Sequence, residues 1–149
     1  MAYVNNILAM STLIFILPIQ VSILKKRWGD LFLLTNIFIF SVLHHLVETN
    51  EAGHNLEGNP YFFLLSKYSC SLRYLDISFS YLLFGYIIYM DGFLFILSFL
   101  KTYKITFILF LINLTCDLII SNSPLLYLFL HLIWHFGIAN ILTEYYGMK

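Results

Sequence analysis

The sequence predicts an all-α, polytopic membrane helix bundle of about five transmembrane helices, a single domain over residues 1–149. Three observations predict it. Hydrophobic residues make up 60% of the chain and charged residues only 11%, which leaves too little polar surface to cover a water-soluble domain. The apolar residues form long continuous runs rather than an alternating pattern, which argues against membrane strands. The longer runs approach the roughly 20 residues that a helix needs to cross a bilayer.

The first span runs from about Asn6 to Leu24, with Pro18 as a kink. No basic residue precedes it and no small-x-small cleavage site ends it; Lys25, Lys26 and Arg27 follow it instead. That pattern fits a retained first helix rather than a signal peptide. The second span covers about Leu31 to Val47. Glu48 to Pro60 holds Glu48, Glu51, His54 and Glu57 among glycines and asparagines, and reads as a surface loop. Tyr61 to Ser66 is a short apolar piece, either interfacial or the early start of the third span.

The third span is clearest from about Ser69 to Met90, with a break at Asp91-Gly92. Phe93 to Leu100 is too short to cross alone; six spans result if it joins a re-entrant pair. Lys101 to Lys104 forms a basic turn, and the fourth span runs about Ile105 to Ile120. Ser121-Asn122-Ser123-Pro124 is a turn and helix-start signal, and the fifth span covers about Leu125 to Tyr146.

Charge orients this arrangement. Lys25, Lys26, Arg27, Lys101, Lys104 and Lys149 fall on one side of a five-helix bundle, and the acidic loop falls on the other. Lys67 and Arg73 oppose the trend. The positive-inside rule makes the basic side cytoplasmic, with the N-terminus outside and the C-terminus inside. A net charge of zero offers no grip on nucleic acid, so membrane lipids are the expected partners. Cys70 and Cys116 lie in apolar stretches and suggest packing rather than a disulfide.

Ionisable groups inside a bilayer are costly, so each asks for a partner. The set is His44, His45, Asp76, Asp117, His131 and His135. His45 lies about five residues before Asn50, Asp76 seven after Ser69, and His131 seven after Pro124, which puts the three at similar depth in the outer half of the bilayer. His131 and His135 are four apart and share a helix face; Ser41 and His45, and Asp76 and Ser80, repeat that spacing. Two imidazoles one turn apart, with a third from another helix, make a three-histidine metal site with one position open to water. Bound zinc would lower the pKa of that water toward about 7. Asp76 could take the water's proton or hold a histidine tautomer, and Ser41 could hydrogen-bond a ligand or steady an oxyanion.

Rival readings accompany each residue. Polar side chains also join membrane helices by hydrogen bonds, without metal. Arg73, three before Asp76, offers that aspartate a simple ion pair. His44 points roughly 100° from His45 and suits packing or support of a ligand. Asp117 suits the headgroup region and His54 the solvated loop. Asn113-Leu114-Thr115 matches a glycosylation pattern but lies within an apolar run.

The residues Ser41-Val42-Leu43-His44-His45, Asp76 and His131-Leu132-Ile133-Trp134-His135 resemble the pattern of the CREST superfamily. In that superfamily a Ser-x3-His, an Asp and a His-x3-His lie on the second, third and last helices. The nearest resemblance is to the myomaker-containing transmembrane branch: Leu17-Pro18 through Val21-Ser22-Ile23, then Lys25-Lys26-Arg27 and His44-His45, resemble its start, while Arg73-Tyr74-Leu75-Asp76 and His131 to His135 resemble the glycolipid-hydrolase members. The resemblance covers roughly residues 13–95 and 122–146. It implies a zinc site of His45, His131 and His135, with Asp76 and Ser41 beside it. It also implies hydrolysis of a lipid amide or ester, ligand reception, or a role in cell fusion, and the same N-out, C-in orientation. Family members carry seven helices, whereas this chain has room for about five.

Three expectations follow. The first is a zinc-dependent integral membrane hydrolase with catalytic Asp76 and Ser41. The second is a non-catalytic membrane-remodelling or fusion-like protein with a structural zinc site. The third is a small membrane subunit whose histidines only join helices.

Overall fold

The first apolar run builds one long rod. In the computed structural model, which describes residues 2–47, 68–102, 104, 108 and 124–149, helix α1 (Ala2–Ser11) passes through a 3₁₀ turn at Thr12–Phe15 into α2 (Ile16–Leu24). The 3₁₀ turn is where the expected Pro18 kink is taken up. Proline has no N–H for the Ile14 carbonyl and its ring crowds that carbonyl, so the helix tightens just ahead of it. Ser11 and Thr12 help by donating their hydroxyls back to the Leu8 and Ala9 carbonyls, each at 2.6 Å.

The rod ends in a Schellman cap. Lys26 takes the left-handed conformation at φ 54°, its N–H donates to the Ile23 carbonyl at 3.0 Å, and Arg27 N–H donates to the Ser22 carbonyl at 2.9 Å. The chain reverses at once into α3 (Trp28–Val47). This helix begins three residues earlier than the hydropathy pattern suggested, which places Asp30 in its first turn, where a carboxylate suits the helix dipole.

Next come α4 (Ser69–Asp91), a corner at Gly92 with φ 78°, and α5 (Phe93–Thr102). The last helix, α6 (Pro124–Met148), opens on a proline, which the first turn of a helix tolerates because its N–H would be unpaired there anyway. Among the described residues the chain is all-helical, with no strand. Among the described residues, three helices are long and apolar enough to cross a membrane: Asn6–Leu24, Trp28–Val47 and Leu125–Met148. Helix α4 has the length but carries Arg73, Asp76 and many serines and tyrosines. The sequence-based loop at 48–60, the segment at 61–66, the fourth span at 105–120 and the turn at 121–123 lie outside the described residues, as do Glu48, His54, Cys116 and Asp117. Cys70 is a free, exposed thiol.

Helix α3 packs along α4, while the first rod lies against both α3 and α6. The main core joins Leu33, Leu34 and Ile37 of α3 to Leu83 and Ile87 of α4, Ile96 of α5, and Tyr145 and Tyr146 of α6. A Cβ on Gly29 would run into the Tyr86 ring, so glycine is what lets the start of α3 and the end of α4 close up. Met10, Leu24, Phe32, Tyr89 and Leu94 face outward, as lipid-contacting side chains do.

One end of the bundle is clasped by charge. Arg27 pairs with Asp30 through Nε at 2.6 Å and with Asp91 through Nη2 at 3.2 Å. Lys149 Nζ reaches the other Asp91 oxygen at 2.7 Å, and the Tyr146 hydroxyl donates to Asp30 Oδ1 at 3.2 Å. The Arg27 guanidinium also sits over the Tyr145 and Tyr146 rings, 5.4 and 5.3 Å from their centroids. Burial works against charge on Arg27, but the Asp30 and Asp91 carboxylates outweigh it and hold the guanidinium above its usual range. Asp91 behaves in mirror image: burial favours its neutral form, yet Lys149 and Arg27 pull it below the usual carboxylate range.

Candidate metal centre

The far end of α3 carries His45, 1% exposed, two residues before the described helix stops. Helix α6 carries His131 and His135 one turn apart, so both imidazoles leave the same face. The three rings meet. His131 Nε2 lies 3.1 Å from His45 Nε2 and 3.1 Å from His135 Nε2. One ligand nitrogen from each of the three histidines lies within 4.8 Å of the other two.

The fit to a metal can be tested on these distances. Ligand nitrogens about 2.0–2.1 Å from a tetrahedral ion stand roughly 3.3 Å from one another. Both 3.1 Å separations are close to that edge length, so a small inward or outward rotation of the rings would seat an ion. The donor set is all imidazole, which suits zinc, copper, iron or nickel, whereas calcium and magnesium demand oxygen ligands. A buried cluster of His45, His131 and His135 could therefore hold a metal ion.

Neighbouring side chains fix the rings. Phe15, from the 3₁₀ turn, packs edge-to-face with His135, 5.8 Å between ring centroids. Tyr127 lies one turn before His131, 5.1 Å between ring centroids. Ser11, the last residue of α1, places Oγ 2.6 Å from His135 Nδ1. The first rod thus forms one wall of the cluster without supplying any of its three nitrogens.

The other sequence-selected residues divide. His44 is buried, with its ring 5.1 Å from that of His45, but it stands outside the group of three. Ser41 is buried one turn before His45 on α3. Asp76 is half-buried on α4, where its backbone carbonyl accepts the Ser80 hydroxyl at 3.0 Å, and it is not one of the three converging residues.

Sequence reasoning passed over Ser11 and Asp30. Ser11 and Thr12 are a polar pair in an otherwise apolar stretch of the first rod, and that was the available signal. Asp30 was hidden by the expected helix start at Leu31, which left it in a turn.

No protein-family model, curated protein or solved structure matches the chain. The chemistry of the site therefore rests on its own atoms.

Proposed function

We propose that the protein is an integral membrane, zinc-dependent hydrolase that adds water across a lipid amide or ester. The observation that carries the reading is the approach of three imidazole nitrogens from two helices, two of the contacts at 3.1 Å. The CREST-like placement of Ser41, His45, Asp76, His131 and His135 supports it. In this reading the N-terminus is outside, the C-terminus is cytoplasmic, and five spans enclose the site in the outer half of the bilayer.

His45, His131 and His135 would hold the ion. Zinc, when bound, supplies a Lewis acid that polarises an acyl carbonyl and acidifies a coordinated water. Asp76 is the general base that accepts the proton of the attacking water. Ser41, one turn before His45, offers its hydroxyl to the oxyanion that develops on the acyl group. Outward-facing apolar side chains let a lipid substrate approach from the bilayer rather than from water.

The test couples metal content to turnover. Detergent-purified wild type should carry one zinc per chain, and His131→Ala/His135→Ala should carry none. Asp76→Asn should keep both zinc and fold while losing turnover on a panel of lipid amides and esters. Absence of stoichiometric zinc from the wild type would sink the reading.

One observation favours a second reading. The ligands join α6 to the much earlier α3, as a structural clasp would. In that case chelation lowers thermal stability, Asp76→Asn changes stability alone, and no lipid is turned over.

A further inference from the structure

We infer that Ser11 is a positioning residue for the metal centre: it holds His135 in the tautomer whose Nε2 lone pair faces the other two histidines. The inference rests on the metal reading above, and it turns on the location of one hydroxyl proton.

Ser11 Oγ makes two short contacts, each at 2.6 Å, one to the Leu8 carbonyl oxygen and one to His135 Nδ1. A serine hydroxyl has one proton to give. A carbonyl oxygen has none, so the Leu8 contact is a hydrogen bond only if Ser11 donates it. That leaves Oγ with lone pairs alone toward α6. His135 Nδ1 must then carry the proton and donate to Ser11. The opposite assignment, with Ser11 donating to His135, would press two oxygen atoms together at 2.6 Å with no proton between them. Ser11 is 8% exposed and His135 3%, so water is poorly placed to relieve such a contact.

A neutral imidazole protonated at Nδ1 has its lone pair at Nε2. His135 Nε2 is the atom 3.1 Å from His131 Nε2, on the side where the histidines converge. The Ser11 hydroxyl therefore selects the ligating form of His135. The arrangement does not depend on a metal being present, because Ser11 is aimed by its own helix: its donor bond spans three residues within α1. Phe15, one turn further along the rod, adds an edge contact to the same ring. The rod thus fixes both the proton and the plane of His135. Metal-bound histidines are commonly held in this way, with the second ring nitrogen donating to an oxygen, and loss of such a partner typically weakens metal binding 10–100-fold.

Two measurements on the full-length chain in detergent test the assignment. The first is the zinc dissociation constant by competition with a chelator, for wild type, Ser11→Ala and Ser11→Thr. Ser11→Ala should raise it about 10–100-fold, and Ser11→Thr, which keeps the hydroxyl, should restore binding to within about threefold of wild type. The second is the ¹⁵N spectrum of metal-free, histidine-labelled wild type, with the His135 signals assigned by their loss in His135→Gln. His135 should show a protonated Nδ1 and an unprotonated Nε2. Equal zinc affinity in wild type and Ser11→Ala, or a wild-type His135 protonated at Nε2, would overturn the inference. A wild type that binds no zinc overturns the metal reading instead, and the nitrogen spectrum alone then decides the tautomer. The same spectrum settles the matter if Ser11→Ala fails to fold.

Discussion

The Tyr146 hydroxyl donates to Asp30 Oδ1 at 3.2 Å, and this bond joins the start of α3 to the end of α6. His45 lies 15 residues after Asp30 on α3, and Tyr146 lies 15 residues after His131 on α6. The two contacts are therefore separated by the same length on both helices, about 22 Å at 1.5 Å per residue. The charged clasp at one end and the histidine cluster at the other are the two ends of a single alignment. Tyr146→Phe should destabilise the protein by about 1–2 kcal/mol, the cost of leaving a buried acceptor short of one donor. Asp30→Ala should cost more, roughly 3–5 kcal/mol, because the half-buried Arg27 loses its nearest carboxylate. Thermal unfolding in detergent checks the order; equal midpoints for wild type and Tyr146→Phe would deny the bond any weight.

Metal stoichiometry separates the adjacent histidines. His45→Ala and His131→Ala should each abolish one-to-one zinc, while His44→Ala should retain it, because His44 lies outside the three converging nitrogens. Elemental analysis of the purified variants is sufficient. Loss of zinc from His44→Ala alone would reassign the α3 ligand.

Acid should open the clasp. The folded chain binds a proton at Asp91 less readily than the unfolded chain, whose ordinary value is 3.8, because Lys149 and Arg27 favour the carboxylate. The unfolded state therefore takes up its proton first as pH falls. The stability that Asp91 contributes is fully present above about pH 3.8 and is lost as pH drops through its lower folded value. Unfolding midpoints followed from roughly pH 6 downward should fall in that acid window, and Asp91→Asn should flatten the fall.

Gly29→Ala tests the close approach of α3 and α4. The added methyl meets the Tyr86 ring, so the two helices must separate or the ring must turn out. A loss of about 1–3 kcal/mol is expected, as for other overpacked sites. Tyr86→Leu should recover most of it in the double variant, measured by the same unfolding assay.

The sequence made the apolar spans legible because length and hydropathy report directly on the solvent a helix faces. The end of the first span at Leu24 was recovered to the residue, and the last span to within two residues at its end. His131 and His135 were legible from their spacing, and His45 from its depth together with the resemblance to the CREST pattern, which chose it over His44. The tightening before Pro18 and the Schellman cap at Lys26 were not, since hydropathy carries no information about φ. Nor was the partner of His135. A helix can be read for which residues share a face, but not for which neighbouring helix that face meets. Ser11 is 124 positions away from His135, and only the packing of the first rod on α6 brings them together.

Ser11 and Phe15 belong to the first rod, His45 to the next helix, and His131 and His135 to the last described one. A chain made from its N-terminus therefore inserts one half of the pocket before the other half has been synthesised. The aligned hydroxyl of Ser11 waits for an imidazole that arrives only with α6. The histidine cluster therefore cannot close until α6 has been made, and the charged clasp through Tyr146 and Lys149 closes after it.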